Sequence, residues 1–188
     1  QPPDHRIGGI RMAGLRLGVV GVGHLGKEHA RILAALPEVE LVGVADPHAA
    51  QAEAVAQRCG TRAFPDHRPL LAQVDAAVIA APTALHHAVA RDFLERGLPV
   101  LVEKPLTSDP AQADELVALA RRQGAVLQVG HVERFNPAFE ELQRRPLRPK
   151  YITCERCSGF SGRSTDVGVV FDLMIHDLDL VLALTRSP

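Results

Sequence analysis

A doubly wound α/β domain, a parallel sheet with helices on both faces, is predicted by three observations. Apolar runs of strand length alternate with amphipathic helical segments up to Gly130, and the connections between them are short. The runs are continuously apolar rather than alternating, as strands covered on both faces are. A glycine-rich turn joins the first run to the first helix, where this architecture needs close backbone approach.

Each element follows from local residues. Leu15–Val20 is a buried apolar run, and a helix is expected from Leu25 to Leu36. Glu40–Ala45 is the next strand and Pro47–Arg58 the next helix, with Pro47 in the first turn, where a missing N–H is tolerated. Ala76–Ala80 is another strand, followed by a helix from Leu85 to Glu95 that Gly97 stops. Pro99–Val102 and Val126–Val129 are strands flanking a helix over Pro110–Gln123 that ends at Gly124. The rhythm then changes. Asn136 is positioned to cap a short helix over Pro137–Arg144, and Arg145–Lys150, with two prolines, reads as a linker. Tyr151–Cys157 is expected as a strand, Ser158–Asp166 as a loop, and a long helix closes the chain. Three units are therefore expected: a disordered leader over 1–13, a nucleotide-binding domain over 14–130, and the incomplete opening of a second, α+β domain over 131–188.

Composition removes several functions. The chain has 188 residues, a formal net charge of −1 and no basic block, which argues against nucleic acid as a partner. No apolar stretch approaches the ~20 residues needed to cross a bilayer. Its most apolar region, Gly168 to Leu184, is interrupted by Asp172, His176, Asp177 and Asp179. Three cysteines do not make a disulfide framework, so a reducing cytoplasm is the default location. Cys154 and Cys157 form a C-x-x-C, but no second pair accompanies it and no metal site is expected.

Gly21-Val-Gly23-His24-Leu25-Gly26 matches G-x-G-x-x-G, and it follows an apolar strand and opens a helix. The first glycine permits the tight turn, the second lets backbone approach a pyrophosphate, and the third lets helix and strand pack closely. The helix N-terminus supplies N–H groups and partial positive charge to the phosphates. Asp46 ends the next strand, twenty residues after Gly26, where a carboxylate accepts both ribose hydroxyls of NAD and repels a 2′-phosphate. NAD is therefore favoured over NADP. The bland alternative for Asp46 is a cap on the following helix. Pro82, Thr83 and His86 follow a strand at the carboxyl end of the sheet, where ligands gather, and are read as cofactor-side residues.

Glu103-Lys104-Pro105 leaves the strand at the same end of the sheet. A lysine there can hydrogen-bond a substrate oxygen and stabilise a developing alkoxide, with Glu103 orienting it. On the last helix Asp172, His176 and Asp179 are spaced i, i+4, i+7 and share one face. Apart from Asp177 the remaining circumference is apolar, so this helix is expected to be buried with its polar stripe facing a cavity. His176 suits a general base, and Asp172 one turn away can support it.

These residues resemble the glucose–fructose oxidoreductase/inositol dehydrogenase (Gfo/Idh/MocA) family. The similarity comprises Gly21–Gly26, Ala-Pro-Thr-x-x-His at 81–86, Glu103-Lys104-Pro105 and Asp172-x-x-x-His176-x-x-Asp179. It implies a Rossmann-type domain followed by an α+β substrate domain, and NAD(P)-linked oxidation or reduction at a sugar or cyclitol carbinol. Lys104, Asp172 and His176 are the implied catalytic residues. The stretches 130–137 and 166–179 are similar to the branch that oxidises the 3-hydroxyl of UDP-N-acetylglucosamine. There Arg134 and Arg163 are candidates to contact a phosphate or acidic sugar group. Family members run longer, through an open sheet that completes the substrate pocket and often the oligomer interface, so a homo-oligomer is implied for the full-length form. The alternatives are a truncated NAD-binding module that turns nothing over, and a dehydrogenase for inositol or another sugar.

Overall fold

The computed structural model describes residues 14–156 and 168–185. The expected leader, Cys157, the Ser158–Asp166 loop and Arg163 lie outside the described residues. Six parallel strands form one sheet: β1 (Leu15–Val20), β2 (Val39–Ala45), β3 (Arg62–Phe64), β4 (Ala76–Ile79), β5 (Val100–Glu103) and β6 (Leu127–Gly130). Their order across the sheet is β3-β2-β1-β4-β5-β6. The order reverses between β1 and β4, and that switch point opens a crevice at the carboxyl ends of the strands.

Helices α1 (Gly26–Ala35), α2 (Ala49–Cys59), α3 (Thr83–Leu94) and α4 (Pro110–Gln123) connect the strands. Successive strand residues serve opposite faces of the sheet. Val19, Val44 and Val78 pack with Ala30 of α1 and with Val55 and Ala56 of α2. Val20, Ile79 and Val102 pack with Phe93 and Leu94 of α3 and with Leu116 and Leu119 of α4. Phe93, Leu70, Ile79, Leu94 and Leu116 are fully buried, each worth roughly 2 kcal/mol of transfer free energy.

Local signals explain where the helices stop. Gly60 and Gly124 adopt the left-handed conformation at the ends of α2 and α4. Asp109 caps α4 by accepting from the Ala111 amide at 2.9 Å, ahead of Pro110. The second helix differs from expectation. It begins at Ala49 with His48 at the N-cap, so Pro47 lies before the helix rather than in its first turn. Strand β3 and a short 3-10 turn at Arg68–Ala72 were not foreseen.

Beyond β6 a 3-10 turn (Val132–Phe135) leads into α5 (Pro137–Gln143), where Asn136 accepts from the Ala138 amide at 3.0 Å as its sequence position anticipates. Residues 151–156 are not in a strand, which corrects the expectation for Tyr151–Cys157 over its described part. A π-helical turn (Val170–Met174) runs directly into α6 (Ile175–Thr185). The expectation of a helix buried nearly all round is also corrected. Val170, Phe171, Met174, Leu178 and Leu182 are exposed, because the described residues pack on this helix chiefly from the Lys104 turn and the turn after β6.

Candidate active site

The glycine loop after β1 meets the loop after β4 at the switch point. Gly21 has φ +81°, and a Cβ on it would lie 2.5 Å from the Ala81 nitrogen, so only glycine fits both backbone and space. A Cβ on Gly26 would collide with the Gly21 carbonyl, which is how the third glycine lets α1 sit on β1. Gly23 is different. A Cβ there would meet nothing within 4 Å, and the residue is exposed. Its bareness serves no packing among the described residues and leaves open space in the loop, as an approaching pyrophosphate requires. His24 and Leu25 are exposed beside it. Leu25, at the N-cap of α1, provides no side-chain acceptor, so the positive end of that helix stays open.

Asp46 is buried at the end of β2. Its Oδ2 accepts from the Val22 amide at 2.9 Å and from Gln51 Nε2 at 3.4 Å, and its Oδ1 accepts from the His48 amide at 2.9 Å. The carboxylate thus braces the glycine loop and the approach to α2 together. An ionised carboxylate offers about four acceptor sites, so capacity remains for ribose hydroxyls. These residues fit a dinucleotide: an open glycine loop, an uncapped helix N-terminus and a fixed acid at the end of the second strand.

His86 lies deeper than a cofactor-facing residue would. It is 1% exposed, with Nδ1 2.9 Å from the Pro105 carbonyl oxygen and Nε2 2.8 Å from that of Ala81. It ties the loop after β4 to the turn after β5, while Pro82 is exposed and Thr83 is half-buried at the start of α3.

The turn after β5 contains a cis Lys104–Pro105 bond. Lys104 Nζ donates to Asp172 Oδ1 at 3.0 Å and to the Asp172 carbonyl at 2.8 Å, a partnership the sequence reading did not foresee. Asp172 was expected beside His176. The structure places its carboxylate on the lysine, from the π-helical turn rather than from a regular helix. Glu103 is 5% exposed and accepts from His29 Nε2 at 2.7 Å, a partner the sequence reading missed.

His176 is half-buried, and its Nδ1 is buried without a hydrogen-bond partner among the described residues. Burial pushes its pKa below the ordinary 6.5, and the nearby cations Lys104 and Arg156 push the same way. The ring is therefore neutral at neutral pH, the form in which it accepts a proton. Arg134 donates through Nε and a terminal nitrogen to the two oxygens of Asp179, both at 2.7 Å. His131 also stands near Asp179, its Nδ1 4.0 Å from Oδ2, and Arg156 bonds Asp177 at 3.0 Å. Of the predicted residues, the glycine loop, Asp46, Glu103, Lys104, Asp172 and Arg134 thus lie in or against the crevice end of the sheet. His29, His131 and Arg156 join them. His29 had a local signal, its place one turn past Gly26 beside buried Ala30; the others depend on how the chain returns after β6.

A glycine loop with an acid at the end of the next strand, at the carboxyl ends of a parallel sheet, is the arrangement of a nucleotide-binding Rossmann-type domain. Residues 15–131 match the family model described as the oxidoreductase family with an NAD-binding Rossmann fold, and the chain belongs to that Gfo/Idh/MocA family. A UDP-N-acetylglucosamine 3-dehydrogenase of Acidithiobacillus ferrooxidans is 45% identical over 177 residues, 94% of this chain and 56% of that protein. Inositol 2-dehydrogenase 4 of Saccharopolyspora erythraea is 35% identical, over 88% of this chain and 52% of that protein. Among solved structures, the Acidithiobacillus ferrooxidans enzyme superposes with a TM-score of 0.86, over 93% of this chain and 58% of its own. GenD2 from gentamicin A biosynthesis, solved in complex with NAD, superposes with a TM-score of 0.81 at 29% identity, over 96% of this chain and 56% of its own. The chain spans a little over half the length of the curated relatives it matches. No helix among the described residues is long and apolar enough to cross a membrane.

Proposed function

We propose that this chain forms the cofactor-binding half, and the start of the substrate domain, of a cytoplasmic NAD-dependent dehydrogenase. Its substrate is the 3-hydroxyl of UDP-N-acetylglucosamine, and the full-length form is a homo-oligomer. The 45% identity to the enzyme of that name supports this substrate. The observation that carries the chemistry is the meeting of Lys104 with Asp172 at the crevice, one turn ahead of a His176 held neutral, its buried Nδ1 without a partner among the described residues.

Gly21, Gly23 and Gly26 with the start of α1 would hold the pyrophosphate, Asp46 the ribose, and Pro82 and Thr83 the wall toward the ring. Bound NAD supplies a hydride acceptor. His176 takes the proton from the substrate hydroxyl, so the carbinol carbon can release its hydride and become a ketone. Lys104 donates to the oxygen as its charge develops, and groups that bind that oxygen more strongly than the hydroxyl speed the step. Asp172 holds the lysine amine in reach of the substrate. Arg134 and Arg163 are proposed to sit toward the acidic part of the nucleotide sugar, Arg134 through whatever donor capacity its bond to Asp179 leaves.

The test is reduced-nicotinamide absorbance after mixing the chain with NAD and UDP-N-acetylglucosamine. A rate that disappears in His176→Ala supports the reading. A rate with inositol alone would keep the chemistry and replace the substrate. NADH binding without turnover on either would leave a cofactor-binding module.

A further inference from the structure

We infer that His29 is a positioning residue for Lys104, acting through Glu103. The inference rests on the reading of Lys104 given above. His29 lies in the first turn of α1, one turn past Gly26, on the helix whose N-terminus faces the glycine loop. Its Nε2 donates to Glu103 Oε1 at 2.7 Å, with side-chain exposures of 23% and 7%.

Glu103 is the last residue of β5, and two-residue alternation puts it on the same face as Leu101, the face that α1 and α2 cover. Its other oxygen, Oε2, accepts from the Lys104 amide at 3.3 Å. Across the carboxylate stands Gly130, the end of β6. A Cβ there would lie 3.1 Å from the Glu103 carboxyl carbon, so the absence of a side chain leaves the acid its room. The carboxylate is thus enclosed by His29, the Lys104 amide and Gly130.

A carboxylate this buried settles where a donor meets it, because an unpaired buried charge is costly. His29 fixes that place, and with it the end of β5 from which Lys104 reaches Asp172. The helix offered to the cofactor phosphates is then the same body that seats the lysine. A purely structural role for His29 would affect stability and leave the lysine amine where it is.

The chain contains three lysines, Lys27, Lys104 and Lys150, so isotope-labelled lysine gives a sparse side-chain spectrum in which Lys104 is assigned by its loss in Lys104→Arg. In His29→Ala the Lys104 signal is expected to move toward that of exposed Lys150, while most backbone amide signals stay in place. His29→Gln, which retains an N–H donor, is expected to hold the signal near its wild-type position. A Lys104 signal unmoved in a folded His29→Ala chain overturns the inference. If His29→Ala does not fold, Glu103→Gln, which keeps the volume and weakens the bond, is read by the same signal with the same two outcomes. NADH titration of the wild-type chain by fluorescence is run alongside. Failure to bind NADH would remove the functional reading, whereas the lysine signal judges the His29 brace by itself.

Discussion

Arg134 holds Asp179 in a two-pronged ion pair, 2.7 Å at each prong, which ties the turn after β6 to the middle of α6. The carboxylate end is the buried one: the Asp179 side chain is 10% exposed and that of Arg134 48%. The pair therefore acts as a clasp closed from the solvent side, and it sets the distance at which α6 passes the sheet.

Removing the arginine leaves a nearly buried carboxylate with His131 Nδ1 4.0 Å from its Oδ2. Arg134→Ala is expected to destabilise the chain by about 1–3 kcal/mol, the cost of leaving a buried polar group unsatisfied and less than that of a fully buried broken pair, because one partner is half exposed. Arg134→Lys should recover only part of this, since an ammonium cannot make the parallel pair of bonds. Urea denaturation measures both. NADH affinity should not change, because the clasp lies at the far edge of the sheet from the glycine loop.

Lys104 is engaged with Asp172 rather than with solvent, so its amine is pre-placed rather than recruited. Lys104→Met, which keeps the length and removes the donor, should lower kcat by roughly 10²–10⁴-fold, the range for losing a positioned acid or an oxyanion donor. NADH binding should remain near the wild-type value. A Met variant with full turnover would take Lys104 out of the reaction.

His176 gives a pH dependence with a definite sign. Burial, followed by repulsion from Lys104 and Arg156, pulls its pKa below 6.5. The acid limb of kcat/KM should therefore fall below pH 6.5, and an acid limb at or above that value would contradict the assignment. Stability moves in the same direction. Between the lowered folded value and 6.5 the unfolded chain binds more protons than the native one, so stability rises with pH through that window. Its contribution is complete above 6.5 and is lost as pH falls toward the folded value. The difference between wild type and His176→Gln in denaturation midpoints across this range measures it.

The domain was legible where a residue's chemistry acts on its own neighbours. Strand β1 and helix α4 have their expected bounds, because a continuous apolar run and a Pro110-to-Gly124 frame are local signals. Asn136 capped as expected for the same reason. Strand β3 escaped notice because three residues, Arg62–Phe64, carry too little pattern, and their pairing with β2 is decided by the sheet edge. The π-helical turn at Val170–Met174 was invisible because its residues are ordinary helix formers. At the site, the partnerships were less legible than the elements. Asp172 was matched to its neighbour in the helix, whereas Lys104, 68 positions away, holds its carboxylate. Asp46 was read as waiting for ribose, but the fold also uses it to hold the Val22 amide.

The glycines of the fingerprint separate a folding role from a binding role. Gly26→Ala drives a methyl into the Gly21 carbonyl, a collision of backbone with side chain that α1 can relieve only by lifting off β1. It should destabilise the chain by about 1–3 kcal/mol or more, the usual cost of overpacking, and weaken cofactor binding with it. Gly23→Ala puts its methyl into open space, so stability should stay within about 0.5 kcal/mol of wild type. If the open space is where the pyrophosphate comes close, that same methyl should still weaken NADH binding by about tenfold, or 1.4 kcal/mol. Thermal denaturation and NADH fluorescence on the two variants read the two roles separately. A Gly23→Ala chain that binds NADH as tightly as wild type would mean that the phosphates do not approach this loop.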